Sequence, residues 1–202
     1  MKIILASASP RRKELMENAG VKFEVRVSKA DETLDDACWK NPSEAVKKLA
    51  ERKAHAVVEE VLEQGLTGEV LVIGADTMVV HKNTPLGKPS SKEEARLMLQ
   101  QLSGDAHEVL TAVSLWMLLA GEGDEFSLGM RTLCDASTVY FRDLSQDEIE
   151  AYLLTDEPYD KAGAYAIQGE ANAFIRHFEG SFDSIMGLPM NRLLREYPEL
   201  LA

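Results

Sequence analysis

The stretch LASASPRRKEL (residues 5–15) places two cations, Arg11 and Arg12, where a helix is expected to begin. Ser9 followed by Pro10 reads as an N-cap and a first helical residue. Both arginines then fall in the first turn, at the positive end of the helix dipole, where each forgoes about 0.3–1 kcal/mol of favourable interaction. A phosphate or similar anion would resolve this by taking the free N–H groups and both guanidinium forks together. The alternative is a pair of solvated arginines. On the first reading, Arg12→Ala leaves stability unchanged or slightly raised.

Lys53 is the second candidate. Val46, Leu49, Ala50, Val57 and Val61 form one stripe of a helix, and Lys53 falls in the middle of it. A lysine there either snorkels to an edge or meets a buried anion. Asp76 follows the apolar run EVLVI (69–73) and Gly74-Ala75, at the carboxyl end of a strand, where α/β proteins gather their ligands. It reads as a metal ligand or general base, or else as a turn aspartate holding backbone N–H groups. Lys88 in GKP (87–89), and Lys161 and Gln168 in DKAGAYAIQG (160–169), are weak signals alone, though the Gln168 amide has the groups to read a base edge. Glu32, in an acidic loop, reads as solvated, and His107 as structural.

The elements that must position these residues follow from periodicity and breakers. Strands are expected at 2–6, 21–28, 69–73 and 78–80, with two long strands at about 106–119 and 125–142 joined by a turn at GEGD (121–124). Helices are expected at 10–18, 42–64, 92–102 and 146–154, with a last one starting near Pro189; 29–41 reads as loop and 159–182 as loop with short strand. Asn41/Glu44, Ser91/Glu94 and Ser145/Glu148 each have the spacing of a capping box. The mixture of crossovers and hairpins predicts an α/β protein with a mixed sheet, in one domain spanning 1–202.

A net charge of −12 over 202 residues excludes the basic stripe that nucleic-acid binding needs, so an anionic partner must be small and held by a local cation cluster. The longest apolar run, Val113–Ala120, is too short for a membrane span. No signal-peptide pattern is present, and Cys38 and Cys134 lack metal-ligand neighbours, so free thiols in a reducing cytoplasm are expected. Neither a Walker A motif nor a G-x-G-x-x-G fingerprint occurs.

LASASPRRKEL, the glutamate of ADET, LAERKA, VIGADTMV, LGKP, LSGDAHEVLTAV, DKAGAYAIQG and the late GLP (187–189) occur in the order found in Maf-like nucleoside triphosphate pyrophosphatases, which the chain resembles from Ile3 to beyond Pro189. DKAGAYAIQG is the form typical of the branch acting on dTTP and UTP. Ala166 stands where that branch usually has glycine, and 121–133 matches none of its motifs. The resemblance implies a two-lobed, twisted mixed sheet around a deep cleft, similar to the inosine triphosphate pyrophosphatase superfamily. It implies cleavage between the α- and β-phosphates, giving a nucleoside monophosphate and pyrophosphate. It makes Asp76 the proton acceptor, with Lys53 and Glu32 beside it in catalysis. Glu32 and Asp76 are the implied ligands of a divalent cation, Mg2+ or Mn2+. Ser7, Ser9, Arg11, Arg12, Thr77, Lys88, Lys161 and Gln168 are the implied substrate contacts, and a homodimer the implied assembly. The alternative class is a non-catalytic, nucleotide-sensing regulator of septum formation.

Overall fold

The computed structural model describes residues 1–123 and 125–201. Asp124, in the expected GEGD turn, lies outside the described residues. β1 (Lys2–Leu5) leads into α1 (Pro10–Asn18), the two-residue β2 (Glu24–Val25), a short α2 (Asp36–Trp39) and the long α3 (Pro42–Glu63). Then come β3 (Glu69–His81), β4 (Thr84–Leu86), α4 (Lys92–Leu102), and the paired long strands β5 (Ala106–Ala120) and β6 (Phe126–Phe141). α5 (Gln146–Tyr152), three 3-10 turns between 157 and 174, β7 (Ile175–Glu179), α6 (Phe182–Met186) and α7 (Met190–Glu196) complete the order, before a last 3-10 turn (Pro198–Leu201).

The fold is α/β, built on one curled, mixed sheet. Its strand order is β2-β1-β3-β5-β6-β7, with β4 also on β3. β2, β1 and β3 are parallel; every other pairing is antiparallel. β5 pairs with β3 residue by residue from Glu69 to Val80. On its other edge β3 meets β1 only as far as Ile73, and β4 only from Val79. Residues 74–78 therefore face a gap in the sheet. The polar GADT stretch, expected to end one strand before a second began at Met78, interrupts the hydrophobicity of β3 but not its backbone, because β5 supplies a continuous ladder.

Alternation along β3 assigns each side chain a face. Val70 and Val72 pack with Val57, Val58 and Val61 of α3, and Met78 and Val80 with Val46, Leu49 and Ala50 of the same helix. On the other face Leu71, Ile73 and Ala75 pack with Met16 of α1 and Leu193 of α7, while Val79 joins the cluster of α4, α5 and the 3-10 turns. Asp76 thus shares the α3 face, and Thr77 the opposite one.

Three local expectations differ from the structure. The strand expected at 21–28 shrinks to Glu24–Val25, the two residues that pair with Ile4 and Leu5 of β1. The expected loop 29–41 contains α2, and α6 forms between the stretch read as loop, which ends at 182, and the last expected helix. Of the three capping boxes, only Ser145/Glu148 closes in both directions. Asn41 and Ser91 accept from the backbone N–H of Glu44 and Glu94, but Glu44 turns to Lys47 and Glu94 to Ser90.

Candidate active site

A cavity of about 680 Å3 opens at the gap in the sheet. The β1–α1 connection lines it with Ser7, Ser9, Arg11 and Arg12, and β3 with Asp76 and Thr77. Glu32, Lys53, Lys88 and Lys161 complete ten of the eleven residues singled out from the sequence. Gln168 is not among the lining residues. It is half-buried beyond Ile167, in a segment pinned by Asn172, which donates to Ile167 O, and by Glu157, which accepts from Glu170 N at 3.0 Å.

Close approach of α3 to β3 builds the charged side of the cavity. Gly74 makes that approach feasible: a Cβ there would lie 2.5 Å from Ala50 O and 2.6 Å from Ala54 N. Two residues on, Asp76 points the same way, and Lys53 Nζ donates to its Oδ1 at 2.5 Å. The same ammonium lies 3.0 Å from Glu32 Oε2. The side chains of Lys53 and Asp76 are 15% and 12% exposed, that of Glu32 63%, so the chain of charges runs from the strand out to solvent. Lys53 therefore takes the buried-anion option rather than snorkelling, and Glu32, largely in solvent as its loop suggested, also pairs with it.

The opposite side is closed, and its one charge is buried. Arg12 is 8% exposed. Its Nε donates to Gly187 O at 2.8 Å, its Nη1 to Ala75 O at 2.9 Å and Ser7 Oγ at 3.1 Å, and its Nη2 to Thr77 Oγ1 at 3.1 Å. Gly187 ends α6 at φ +113°, and a Cβ there would come within 3.1 Å of Thr77 Oγ1. Burial holds the Arg12 guanidinium below the usual arginine range, and the Asp76 charge opposes that shift. Four of the five Arg12 N–H donors go to protein carbonyls and hydroxyls, so the open fork expected there narrows to the second N–H of Nη2, while the residue still lines the cavity. It ties α1 to the free edge of β3 and to the α6–α7 turn.

Arg11 is the cation left for a ligand. It is half-buried on the cavity wall, and no carboxylate among the described residues lies within ion-pair distance of it. Burial lowers its pKa, while the charges of Asp160 and Glu157 raise it. Lys88 is exposed at the rim, and Lys161 pairs with Asp160. Asp160 also lines the cavity and was not singled out; its position next to Lys161 in the DKAG stretch was the available signal. Trp39, Leu86, Tyr165 and Ile185 give the cavity apolar wall, scattered over too many elements for any sequence pattern to reveal. Ala166 is buried on the cavity wall, and its φ is not positive, so alanine in place of glycine carries no backbone strain.

Deep polar groups beside an apolar wall, with cations concentrated in an acidic protein, suit a small polyanion that carries a planar apolar part. Comparisons with known proteins agree. The family model described as Maf-like protein matches residues 2–200. A Bacillus anthracis protein named dTTP/UTP pyrophosphatase is 45% identical over 195 residues, covering 96% of this chain and 93% of its own. A Bacillus cereus protein of the same name is 44% identical with the same coverage. Among solved structures, a Mycobacterium abscessus nucleoside-triphosphatase / dITP/XTP pyrophosphatase aligns over 70% of this chain and 73% of its own, at 16% identity and a TM-score of 0.39. Sequence blocks, cavity and family match together make this chain a member of the Maf family.

Proposed function

We propose that this protein is a dTTP/UTP pyrophosphatase that hydrolyses the α–β phosphoanhydride to the nucleoside monophosphate and pyrophosphate. The observation that carries the reading is the Glu32–Lys53–Asp76 chain at the open edge of β3, set among the unpaired Arg11 and the lysines 88 and 161. Asp76 accepts a proton from water as the water oxygen forms a bond to the α-phosphorus. The bond from that phosphorus to the α–β bridging oxygen breaks, and pyrophosphate leaves with the electron pair. Lys53 holds the carboxylate in place, and Arg11, Lys88 and Lys161 oppose the charge that builds on the departing group.

The donor set also fits a divalent cation. Two carboxylates converge on one point, now spanned by Lys53 Nζ, and Mg2+ characteristically takes one or two carboxylates together with substrate phosphate oxygens. Glu32 and Asp76 would hold Mg2+ or Mn2+, which would neutralise triphosphate charge. The same proposal makes the protein a cytoplasmic homodimer, checked by light scattering of the purified chain and by fractionation. Among the described residues no helix is long and apolar enough to cross a membrane.

The deciding measurement is product analysis with dTTP and UTP, in Mg2+ and in Mn2+. Pyrophosphate with nucleoside monophosphate is expected. Orthophosphate would identify a phosphatase instead, and tight binding without any product would identify a nucleotide-sensing regulator.

A further inference from the structure

A short relay of hydroxyls lies behind the closed wall of the cavity, and its direction is determined by its ends. Thr111, on β5, is wholly buried and donates to Ser184 O at 2.8 Å. A hydroxyl carries one proton, so that carbonyl consumes it. In the 3.0 Å contact between Thr77 Oγ1 and Thr111 Oγ1, Thr77 must therefore be the donor. Thr77 in turn accepts from Arg12 Nη2, which has only protons to give. A donor-only guanidinium at one end and an acceptor-only carbonyl at the other orient all three bonds without any hydrogen being seen.

The consequence falls on Thr77, which lines the cavity and has no proton left to offer. We propose that Thr111 is a positioning residue that locks the Thr77 hydroxyl as an acceptor, so that this point of the cavity selects a ligand group carrying an N–H or O–H. The inference rests on the nucleotide reading above and sharpens its substrate class. A phosphate oxygen has no proton to give and is turned away here. Two donors shared by dTTP and UTP fit: the imide N3–H of the base, which cytosine lacks, and the 3′-hydroxyl of the sugar.

The test begins with wild-type protein and analogues that each delete one donor, 3-methyl-UTP against UTP and 3′-deoxy-TTP against dTTP. One of the two pairs is expected to show a loss of roughly tenfold in kcat/KM, carried mostly by KM. That pair names the donor. Thr111→Val frees the Thr77 proton, and the same discrimination should then shrink roughly tenfold, while Thr111→Ser restores it. Rescue by serine is the readout that a merely structural role would not give. If neither analogue pair differs by more than about twofold in wild type, the proposal is overturned even if Thr111→Val fails to fold. Equal discrimination in folded Thr111→Val also overturns it. Equilibrium binding of the α,β-methylene forms of the same nucleotides separates the two readings. Discrimination in binding without pyrophosphate release would sink only the catalytic reading. Turnover with unmoved ratios would sink only this one, and no nucleotide binding at all would sink both.

Discussion

Asp76 and Thr77 are adjacent residues of one strand, yet the two faces of β3 hold them in opposite ways. On the α3 side Asp76 meets a single mobile ammonium, shared with a Glu32 that is largely in solvent. On the other side Thr77 belongs to a buried relay in which Arg12 and Thr111 have fixed partners. A site that must exchange ion partners during a reaction needs the first arrangement, because a lysine between two carboxylates can yield to an incoming cation. A site that must present one unchanging pattern of donors and acceptors needs the second. On the proposed function, chemistry and recognition would divide between the two faces of one strand, at the point where its edge is free.

Asp76→Asn breaks the charged face most severely. It keeps the shape but removes the proton acceptor, and turnover of dTTP should fall by roughly 10²–10⁴-fold. The fold should survive, since Lys53 keeps Glu32 and the opposite face of β3 stays intact. Near-normal turnover in the folded variant would assign the base elsewhere.

Arg12→Ala tests the face that carries Thr77 and should act first on stability. It leaves Ala75 O and Gly187 O buried without these donors, each costing about 1–3 kcal/mol. A loss near 3 kcal/mol corresponds to roughly 6–12 °C in melting temperature for a chain of this size. This reverses the expectation drawn from the dipole alone, and calorimetry of the ligand-free variant decides between them.

Gly74→Ala probes the spacing that brings Lys53 to Asp76. The added methyl must displace α3 backbone, so a destabilisation of about 1–3 kcal/mol is expected. Turnover should fall with it, and a variant of normal stability and activity would show that α3 slides freely.

The smallest effect concerns His107, on the same face as Thr77, whose Nε2 meets Tyr165 Oη at 2.7 Å. Burial drives the imidazole down to about 3, so it stays neutral in the folded protein while the unfolded chain protonates it near its ordinary value. Between about pH 6.5 and pH 3 the unfolded state binds the extra proton. This contribution is therefore present above pH 6.5 and declines with acidification, by at most about 1.4 kcal/mol per pH unit. Urea midpoints at pH 7.5 and pH 5.0 should fall less in His107→Gln than in wild type. An identical fall in both would assign the acid sensitivity to other groups.

Much of this architecture was legible in the sequence because it rests on local chemistry. α3 and α4 declare themselves by periodicity and caps, and β5 and β6 by length and composition. The cations and carboxylates of the cavity were visible as residues out of place: Lys53 on an apolar stripe, Arg11 in a first turn. What escaped depends on partners far along the chain. Nothing near Arg12 announces that Gly187 and Ala75 take its donors, so its neighbour Arg11 and it look alike in sequence and differ in burial and bonding. Continuity of β3 through GADT is set by β5. Gln168 has the right chemistry for a base reader, but the turns that carry it leave it off the cavity wall.

Arg12 also bears on the order in which the molecule can be assembled. Its bonds join residues 5, 63, 65 and 175 positions away, the last to a carbonyl near the end of the chain. The β5–β6 hairpin closes from neighbouring sequence, whereas the clasp at Gly187 is the longest loop in this set and waits for nearly the whole polypeptide. A chain still emerging from the ribosome can thus build most of its sheet before the last of Arg12's four partners is in place. Until residue 187 arrives, Arg12 lacks the carbonyl that completes its seat, and the wall that would discriminate nucleotides is unfinished.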